Sequence, residues 1–339
     1  TDGIKASLSY VEPFSDYSKI EFVYDYQLTD MTTSRLVEDK NKTEELGYFY
    51  YVDSLGVNYN YRFNSSKVGL NYQYTPNKNV RANIGFAVQP LKLVGNLPGQ
   101  DLNYTYGNVN LVPTAGLKWR INKEVDWAID YMGKNNQPNF LHIIPVRDNS
   151  NSQNIIVGNP ELKAEFSNRL STTLRKFITT RSQYFETNIA YNFVVNKIVS
   201  DKKAYTTSTI QETTFKNADG YYDLKWYYLF NTPIFNESVQ LDLVGNADFY
   251  NNLSYVNDER NKTKQFIYSQ SLQFRYNWSD YFETLFNTNY LLNHASYTWP
   301  YTTEVTAHSL LFSAGTKGYL SDHITLGAEM SQRFNSGYE

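Results

Sequence analysis

Apolar and polar side chains alternate along most of this chain with a period of two residues. Successive side chains of a β-strand point to opposite faces of the sheet, so such a segment predicts a strand with one apolar and one polar face. About fourteen segments show the pattern, which predicts an all-β fold. In the clearest segment, Tyr268, Leu272, Phe274, Tyr276 and Trp278 alternate with Ser269, Ser271, Gln273, Arg275 and Asn277.

The length of these segments separates two all-β architectures. A soluble sandwich and a membrane barrel both have strands with one apolar face. The segments here run for about ten residues, which a tilted strand needs to cross a bilayer, whereas strands of soluble proteins average about five or six. No apolar run approaches the roughly 18 residues of a membrane-spanning helix. The sequence therefore favours a transmembrane antiparallel up-and-down β-barrel.

The connections support this fold, because short and long ones alternate along the chain. Tight turns are predicted at sites such as Asn122–Glu124 and Thr179–Arg181. Outer-membrane barrels have short turns at one rim and long loops at the other. By this rule Val57–Tyr74 is one long strand rather than a hairpin. The predicted long loops are Thr29–Leu46, Lys92–Tyr104, Asn135–Ala164, Asp201–Thr207, Asn251–Thr263 and His294–Thr303.

Aromatic residues make up 17% of the chain, and many of them lie near the predicted short turns. Barrel proteins place such rings at the two membrane–water interfaces, so the clusters predict an interfacial girdle. The residues are Trp119, Trp127, Phe177, Tyr184, Phe185, Trp226, Tyr228, Phe230, Tyr276, Trp278, Tyr281 and Phe282.

Charge and residue usage argue against several other functions. The net charge is −3 and the basic residues are scattered, which gives no nucleic-acid footprint. The chain has no cysteine, and its four histidines lack the spacing of metal ligands. The carboxylates follow the strand pattern, as expected for a wet lumen wall. We therefore predict no enzymatic activity, no cofactor and no metal site.

The stretch from Asn135 to Ala164 departs from the alternation. Prolines, a glycine and many Asn and Asp residues predict a long extracellular-side connection with fixed turns, neither strand nor helix, which folds back on apolar anchors. The polar residues of this loop are candidate ligand contacts: Asn135, Asn136, Gln137, Arg147, Asp148, Asn149, Asn151 and Gln153. The alternative is that they cap turns and hold the loop against the wall.

Part of this loop carries a family resemblance. The run Gly158-Asn159-Pro160-Glu161-Leu162-Lys163-Ala164-Glu165, with Asn136-Gln137-Pro138 and Asp148-Asn149-Ser150-Asn151 before it, resembles the conserved loop of TonB-dependent outer-membrane receptors. It is most similar to the outer-membrane β-barrel family common in Bacteroidota. Tyr10-Val11-Glu12-Pro13-Phe14 is similar to a strand-end motif of that group. Ala164 departs from the family, which usually has proline there.

The resemblance implies a fold and a function. Such receptors have barrels of about 22 strands filled by an N-terminal plug. We therefore expect residues 1–339 to be a single partial β-barrel domain, a central fragment without the plug. The implied function is import of a scarce nutrient (siderophore, glycan or peptide) across the bacterial outer membrane. The implied partners are outer-membrane lipid, the TonB complex acting through the plug, and a surface lipoprotein.

Two other functions remain open on the sequence alone. One is an outer-membrane barrel that binds or adheres without transport. The other, less favoured, is a secreted β protein that binds carbohydrate through exposed tyrosines.

Overall fold

The wall of the molecule is an antiparallel β-sheet. The computed structural model describes residues 1–51, 57–97, 102–145, 147–149, 151, 153–204, 210–235, 238–278, 281–321 and 323–337. Within these ranges the chain forms eighteen strands. Fourteen of them build the wall: β1 Asp2–Ser15, β2 Ser18–Arg35, β3 Val57–Asn77, β4 Val80–Leu97, β5 Leu102–Arg120, β6 Val125–Asn136, β9 Glu165–Ile178, β10 Gln183–Val195, β13 Tyr221–Ile234, β14 Val239–Val256, β15 Glu259–Trp278, β16 Phe282–Tyr297, β17 Thr303–Ser321 and β18 Ile324–Ser336.

The remaining elements belong to the connections at one rim. The two short strands β7 Arg147–Asp148 and β8 Asn154–Val157 lie between β6 and β9. The hairpin of β11 Lys197–Ala204 and β12 Gln211–Ala218 lies between β10 and β13. Two short helices are α1 Lys40–Leu46 and α2 Phe140–Ile143. Neither of the helices in the described ranges is long and apolar enough to cross a membrane.

The wall strands pair in chain order. Each is antiparallel to the next, and β6 pairs directly with β9 and β10 with β13 across the two inserted connections. Among the described residues β1 pairs only with β2 and β18 only with β17. The predicted up-and-down antiparallel sheet of about fourteen strands is confirmed, and Val57–Tyr74 lies within the single long strand β3.

The two faces of the wall differ in polarity, as the alternation predicts. Large hydrophobic side chains on one face remain exposed instead of packing on a second sheet, which excludes the soluble sandwich. Examples are Ile4, Leu8, Leu70, Ile84, Phe86, Leu111, Leu170, Ile189, Trp226, Phe286, Met330 and Phe334. The other face carries charges such as Lys5, Glu21, Asp25, Lys67, Arg81, Lys118, Asp130, Glu186, Lys225, Asp248, Arg275 and Lys317. The apolar face is the lipid face and the polar face lines the lumen.

The connections follow the predicted rule fully on one rim and in part on the other, where the connections after β2, β6 and β10 are long. The turns on the β1–β2 side are short throughout the described chain. On the opposite rim the predicted loop Asn251–Thr263 is wrong, because β14 and β15 continue to a tight turn at Asn257 and Asp258, both with positive φ (52° and 64°). Part of Lys92–Tyr104 and of Asp201–Thr207 lies outside the described residues, and the rest of both is largely strand. The strands thus run well beyond the bilayer on this rim, where both faces meet water and the alternation fades.

Two local predictions need correction. Asn135 and Asn136 are the last residues of β6, so the loop proper is 137–164, and it contains α2, β7 and β8. Trp226 and Tyr228 lie in the middle of β13 rather than near its short turn. Trp119 and Trp127, by contrast, do lie at that rim, with ring centroids 6.4 Å apart.

Candidate functional site

The described residues between 137 and 164 dock on the lumen face of the wall through α2. Asn139 caps the helix, since its side-chain oxygen accepts a hydrogen bond from the Leu141 amide at 3.0 Å. The next residue, Phe140, is 4% exposed. Its ring lies between those of Tyr59 and Tyr61 on β3, with centroids 5.4 and 5.3 Å away. This aromatic contact fixes the loop against the wall.

A compact apolar cluster continues from Phe140. Ile143, Ile144 and Leu162 are at most 2% exposed and pack with Leu93 of β4. On the other side of the cluster lie Ile198 and Phe215 from the β11–β12 hairpin. The loop is therefore held between the wall and the hairpin.

Several residues of the segment Gly158–Glu165 make specific contacts that account for their identity. Gly158 lies against the Ile144 carbonyl, where a Cβ would stand 2.0 Å from the oxygen, so only glycine fits. The Asn159 amide donates to the His142 carbonyl at 2.6 Å, and its side-chain nitrogen donates to the Phe215 carbonyl at 2.9 Å. Pro160 accepts through its carbonyl from the Tyr104 hydroxyl at 2.9 Å.

The end of the segment is tied to the hairpin. Lys163 donates its amide to the Asn217 side chain at 2.8 Å and accepts from the same side chain at 2.9 Å. Glu165 is 8% exposed; its carboxylate pairs with the Lys197 ammonium at 2.9 Å and accepts from the Ile198 amide at 2.8 Å. These motif residues hold the loop, β12 and β11 together.

The candidate ligand residues at the start of the loop all make internal contacts. The Asn135 side chain accepts a hydrogen bond from the Leu111 amide at 3.2 Å. This bond lies just beyond the end of the β5–β6 pairing, on the far side of Pro113. Asn136 donates to the Ser167 hydroxyl at 2.8 Å. Gln137 donates to Asn110 at 2.8 Å, while its Oε1 is buried and has no hydrogen-bond partner in the described structure.

The later candidates lie around β7. Arg147 forms an ion pair with Glu212 of β12 at 3.0 Å, with its side chain 57% exposed. Asp148 is the second residue of β7. Asn149 has a buried Oδ1 without a hydrogen-bond partner among the described residues. Asn151 accepts from the Gln153 amide at 3.0 Å, so that pair forms a local turn.

A cavity of about 290 Å³ lies beside the Phe140 contact, between the start of α2 and the wall. Aromatic rings and amides meet there, which suits a small ligand with both apolar and hydrogen-bonding surface. Of the predicted residues only Gln137 lines it among those described. The other lining residues are Gln27, Thr29, Tyr61, Phe63, Leu91, Leu93, Tyr106, Pro138, Asn139 and Phe140.

One patch of the lumen wall below the loop is rich in cations, although Lys67 within it pairs with Asp25 at 3.2 Å. The sequence pattern did not predict this patch. A cavity of about 480 Å³ is lined by Lys19, Lys67, Arg81 and Lys118, with Glu21 as the one acidic side chain in that lining. Arg81 and Lys118 are direct cross-strand partners, although like charges in that position repel. The alternation would have placed these side chains on the lumen face, but only the strand register shows that they meet.

The side chain of His142 has a packing role. Its ring stacks on Phe215, with centroids 3.7 Å apart. Burial lowers the pKa of the imidazole below its ordinary value of 6.5. Over the described part of the chain, no three His, Asp or Glu side chains converge in a way that could hold a metal ion.

Solved structures share this fold at very low sequence identity. The copper transporter OprC matches with a TM-score of 0.62 and 9% identity over 94% of this chain and 51% of that chain. The FrpB iron transporter from Neisseria meningitidis matches with a TM-score of 0.55 and 7% identity over 98% and 55%. The Serratia marcescens hemophore receptor HasR, solved as a double mutant with its hemophore HasA and heme, matches with a TM-score of 0.56 and 11% identity over 98% and 58%. The chain thus spans just over half the length of these proteins.

Sequence comparison gives the family directly. No curated protein matches the chain. The model of the outer membrane protein beta-barrel family matches residues 1–337. The chain therefore belongs to this family, as a β-barrel protein of the bacterial outer membrane.

Proposed function

We propose that residues 1–339 are the central part of a receptor barrel that imports a scarce nutrient through the outer membrane. The observation that carries the proposal is the folded loop 137–164, which lies on the lumen face and encloses a ligand-sized cavity with α2. A barrel with only a structural role needs no ordered segment inside its lumen. The shared fold with an iron and a copper transporter supports a transport role.

Gln137 is the residue that we assign to the ligand with the best geometric support. Its buried Oε1 has no hydrogen-bond partner in the described structure and the residue lines the cavity. A buried acceptor without a partner is costly, and a ligand hydroxyl or amide would satisfy it. Arg147 and Asp148 of β7, on the same loop, are proposed as further ligand contacts. Asn149 is proposed as another, through its buried Oδ1.

The mechanism follows from a change in affinity between two states. Loop 137–164 would bind the nutrient from the extracellular side. The TonB complex, acting through a plug domain, would then move the barrel contents to a state of lower affinity, since a ligand is released only if the two states bind it differently. Siderophore, glycan and peptide nutrients all remain candidates, and a surface lipoprotein is a candidate partner for delivery.

The test uses the intact receptor in the outer membrane of its own cells. Wild-type and deletion cells are grown in the same rich medium, and mass spectrometry follows the loss of each medium component. We expect one chemical class to be taken up only by the wild type, and a protonophore to abolish that uptake while leaving surface binding intact. Binding without uptake would instead support the adhesion barrel and refute import.

A variant tests the cavity itself. Gln137→Leu is similar in size but removes both the Oε1 acceptor and the Nε2 donor to Asn110, so uptake of the identified class should fall by roughly tenfold or more. Asn110→Ala, which removes only the contact within the protein, should lower uptake less. The control is Gln332→Leu on the lipid face of β18, which should leave uptake unchanged. Equal uptake by both variants would exclude Gln137 as a ligand contact.

A further inference from the structure

The lipid face of β15 changes abruptly from apolar to cationic. From the short-turn rim upward, its outward residues are Trp278, Tyr276, Phe274, Leu272, Gln270, Tyr268 and Phe266. The next three outward residues are Lys264, Lys262 and Arg260, all exposed to solvent. Alternate positions of a strand lie about 6.6 Å apart, so the three cations form one vertical row.

The change occurs at the height where the bilayer ends. The twelve steps from Trp278 to Phe266 cover about 40 Å along the strand at about 3.3 Å each. A strand tilted by about 45° then rises about 28 Å, close to the roughly 25 Å apolar band of outer-membrane barrels. Lys264 therefore stands just above the hydrocarbon region, on the rim with the long loops, which faces the cell exterior.

The strand register shows which residues of β14 and β16 lie at this boundary. Phe266 lies in register with Phe249 of β14 and His294 of β16. One row higher, Lys264 lies in register with Asn251 and Ser296. The outward residues of β15 and β16 are thus polar from Lys264 and Ser296 upward. On β14 the outward Leu253, one row above Asn251, is buried against Val199 and Ala218 of the β11–β12 hairpin.

The charge of this row is not neutralised within the described protein. Neither Lys262 nor Lys264 forms an ion pair there, and Arg260 donates to the backbone carbonyl of Asp219 rather than to a carboxylate. The acidic residue in the same row as Lys264 is Glu304, two strands away and so about 10 Å distant.

Another outward-facing cation, on β3, does have a carboxylate partner. Arg62 of β3 faces the lipid side beyond the bilayer but pairs with Asp30 at 2.7 Å. Within the described part of the chain, Lys262 and Lys264 have no such carboxylate partner, so they can bind an external anion.

We propose that Arg260, Lys262 and Lys264 bind the phosphate of a lipid headgroup in the outer leaflet. Two lysines about 6.6 Å apart reach a phosphate placed between them through flexible side chains whose stems lie along the apolar surface. The acyl chains of the same lipid lie on Phe266 and Phe249 directly below. This continuity with the apolar band favours a lipid over a free anion, for which the apolar surface offers nothing. The site does not depend on the proposed transport function.

The test measures lipid retention by the intact receptor. The protein is reconstituted into nanodiscs of phosphatidylcholine containing about one-tenth phosphatidic acid, and native mass spectrometry counts the lipids retained after gentle release. We expect selective retention of phosphatidic acid by the wild type. Lys262→Gln with Lys264→Gln should weaken it by about fivefold per lysine, the effect of one cation near an anionic surface.

Two matched variants complete the design. Lys5→Gln with Lys317→Gln removes the same charge from the lumen face and should retain phosphatidic acid as the wild type does. Lys262→Arg with Lys264→Arg keeps the charge and should also retain it. Inorganic phosphate at millimolar concentration should not displace the lipid.

Three results would overturn the proposal. One is equal retention by the wild type and the double glutamine variant. Another is an equal loss in the lumen-face control, which would show a general charge effect. The third is displacement by inorganic phosphate, which would make the row a site for a free anion.

Discussion

The ring of Phe140 lies directly on the backbone of Gly95. A Cβ built on residue 95 would stand 2.2 Å from two of the ring carbons. Helix α2 can approach β4 this closely because that strand has no side chain at the contact. The docking of loop 137–164 therefore depends on one glycine in the wall as much as on the apolar residues of the loop.

Gly95→Val should detach α2 from the wall. The added side chain overlaps the Phe140 ring, and overpacking of this kind costs about 1–3 kcal/mol. Hydrogen exchange of the amides in 139–145 should accelerate by the factor that corresponds to this loss of free energy. The exchange of the wall strands should stay the same. Gly107→Val is the matched control, because the nearest atom to a Cβ there is 3.8 Å away. Equal protection in both variants would mean that the contact does not hold the helix.

Glu165→Gln should loosen the β11–β12 hairpin from β9. The substitution keeps an acceptor for the Ile198 amide but removes the ion pair with Lys197. Loss of one partner of a fully buried pair costs roughly 3–5 kcal/mol, and here less, since the Lys197 side chain is 31% exposed. Limited proteolysis within 197–218 should be faster than in the wild type. A second substitution, Lys197→Met, should restore part of the protection; no rescue would argue against the pair as the cause.

The alternation predicts the wall because lipid and water select opposite faces of every strand. For β15 it identifies the outward side chains of Tyr268, Leu272, Phe274, Tyr276 and Trp278, but not those of Phe266 and the polar Gln270. The same pattern fails at Asn251–Thr263, where the strands rise above the bilayer and both faces meet water. No periodic signal marks the strand there, and polar residues predict a loop instead.

The candidate site was predictable only in part. The loop and its apolar anchors stand out from the alternation, whereas the close approach of Gly158 to the Ile144 carbonyl is visible only in the structure. By contrast, Ile198 and Phe215 pack on α2 from a hairpin distant in sequence. The cavity between α2 and the wall depends on that packing. Single-sequence patterns carry local periodicity, so contacts between distant segments leave no trace in them.

Asp201→Asn should release the hairpin from the β14–β15 turn. Asp201 is fully buried, pairs with Lys216 at 2.6 Å and accepts from the Asp258 amide at 3.3 Å. Asparagine retains an acceptor but not the charge, so about 1–3 kcal/mol of local stability is lost, less than for an isolated pair because Asp258 also contacts Lys216. Hydrogen exchange in 197–204 and 254–260 should increase together. An increase in only one of the two segments would show that Asp201 does not connect them.

Acidification should weaken the docking of loop 137–164 through His142. Burial against Phe215 lowers the pKa of this imidazole below 6.5, so the docked loop binds its proton less readily than the undocked loop. Above about pH 6.5 both forms are neutral and the histidine has no effect. As the pH falls from there toward the lowered pKa, the free energy that favours the docked loop decreases by up to about 1.4 kcal/mol per pH unit. Hydrogen exchange of 139–145, corrected for the intrinsic pH dependence, should therefore rise between pH 7.5 and 5.5. His142→Phe should remove that rise, whereas His323→Phe at the β17–β18 turn should preserve it. A rise that persists in His142→Phe would assign the pH sensitivity to another group.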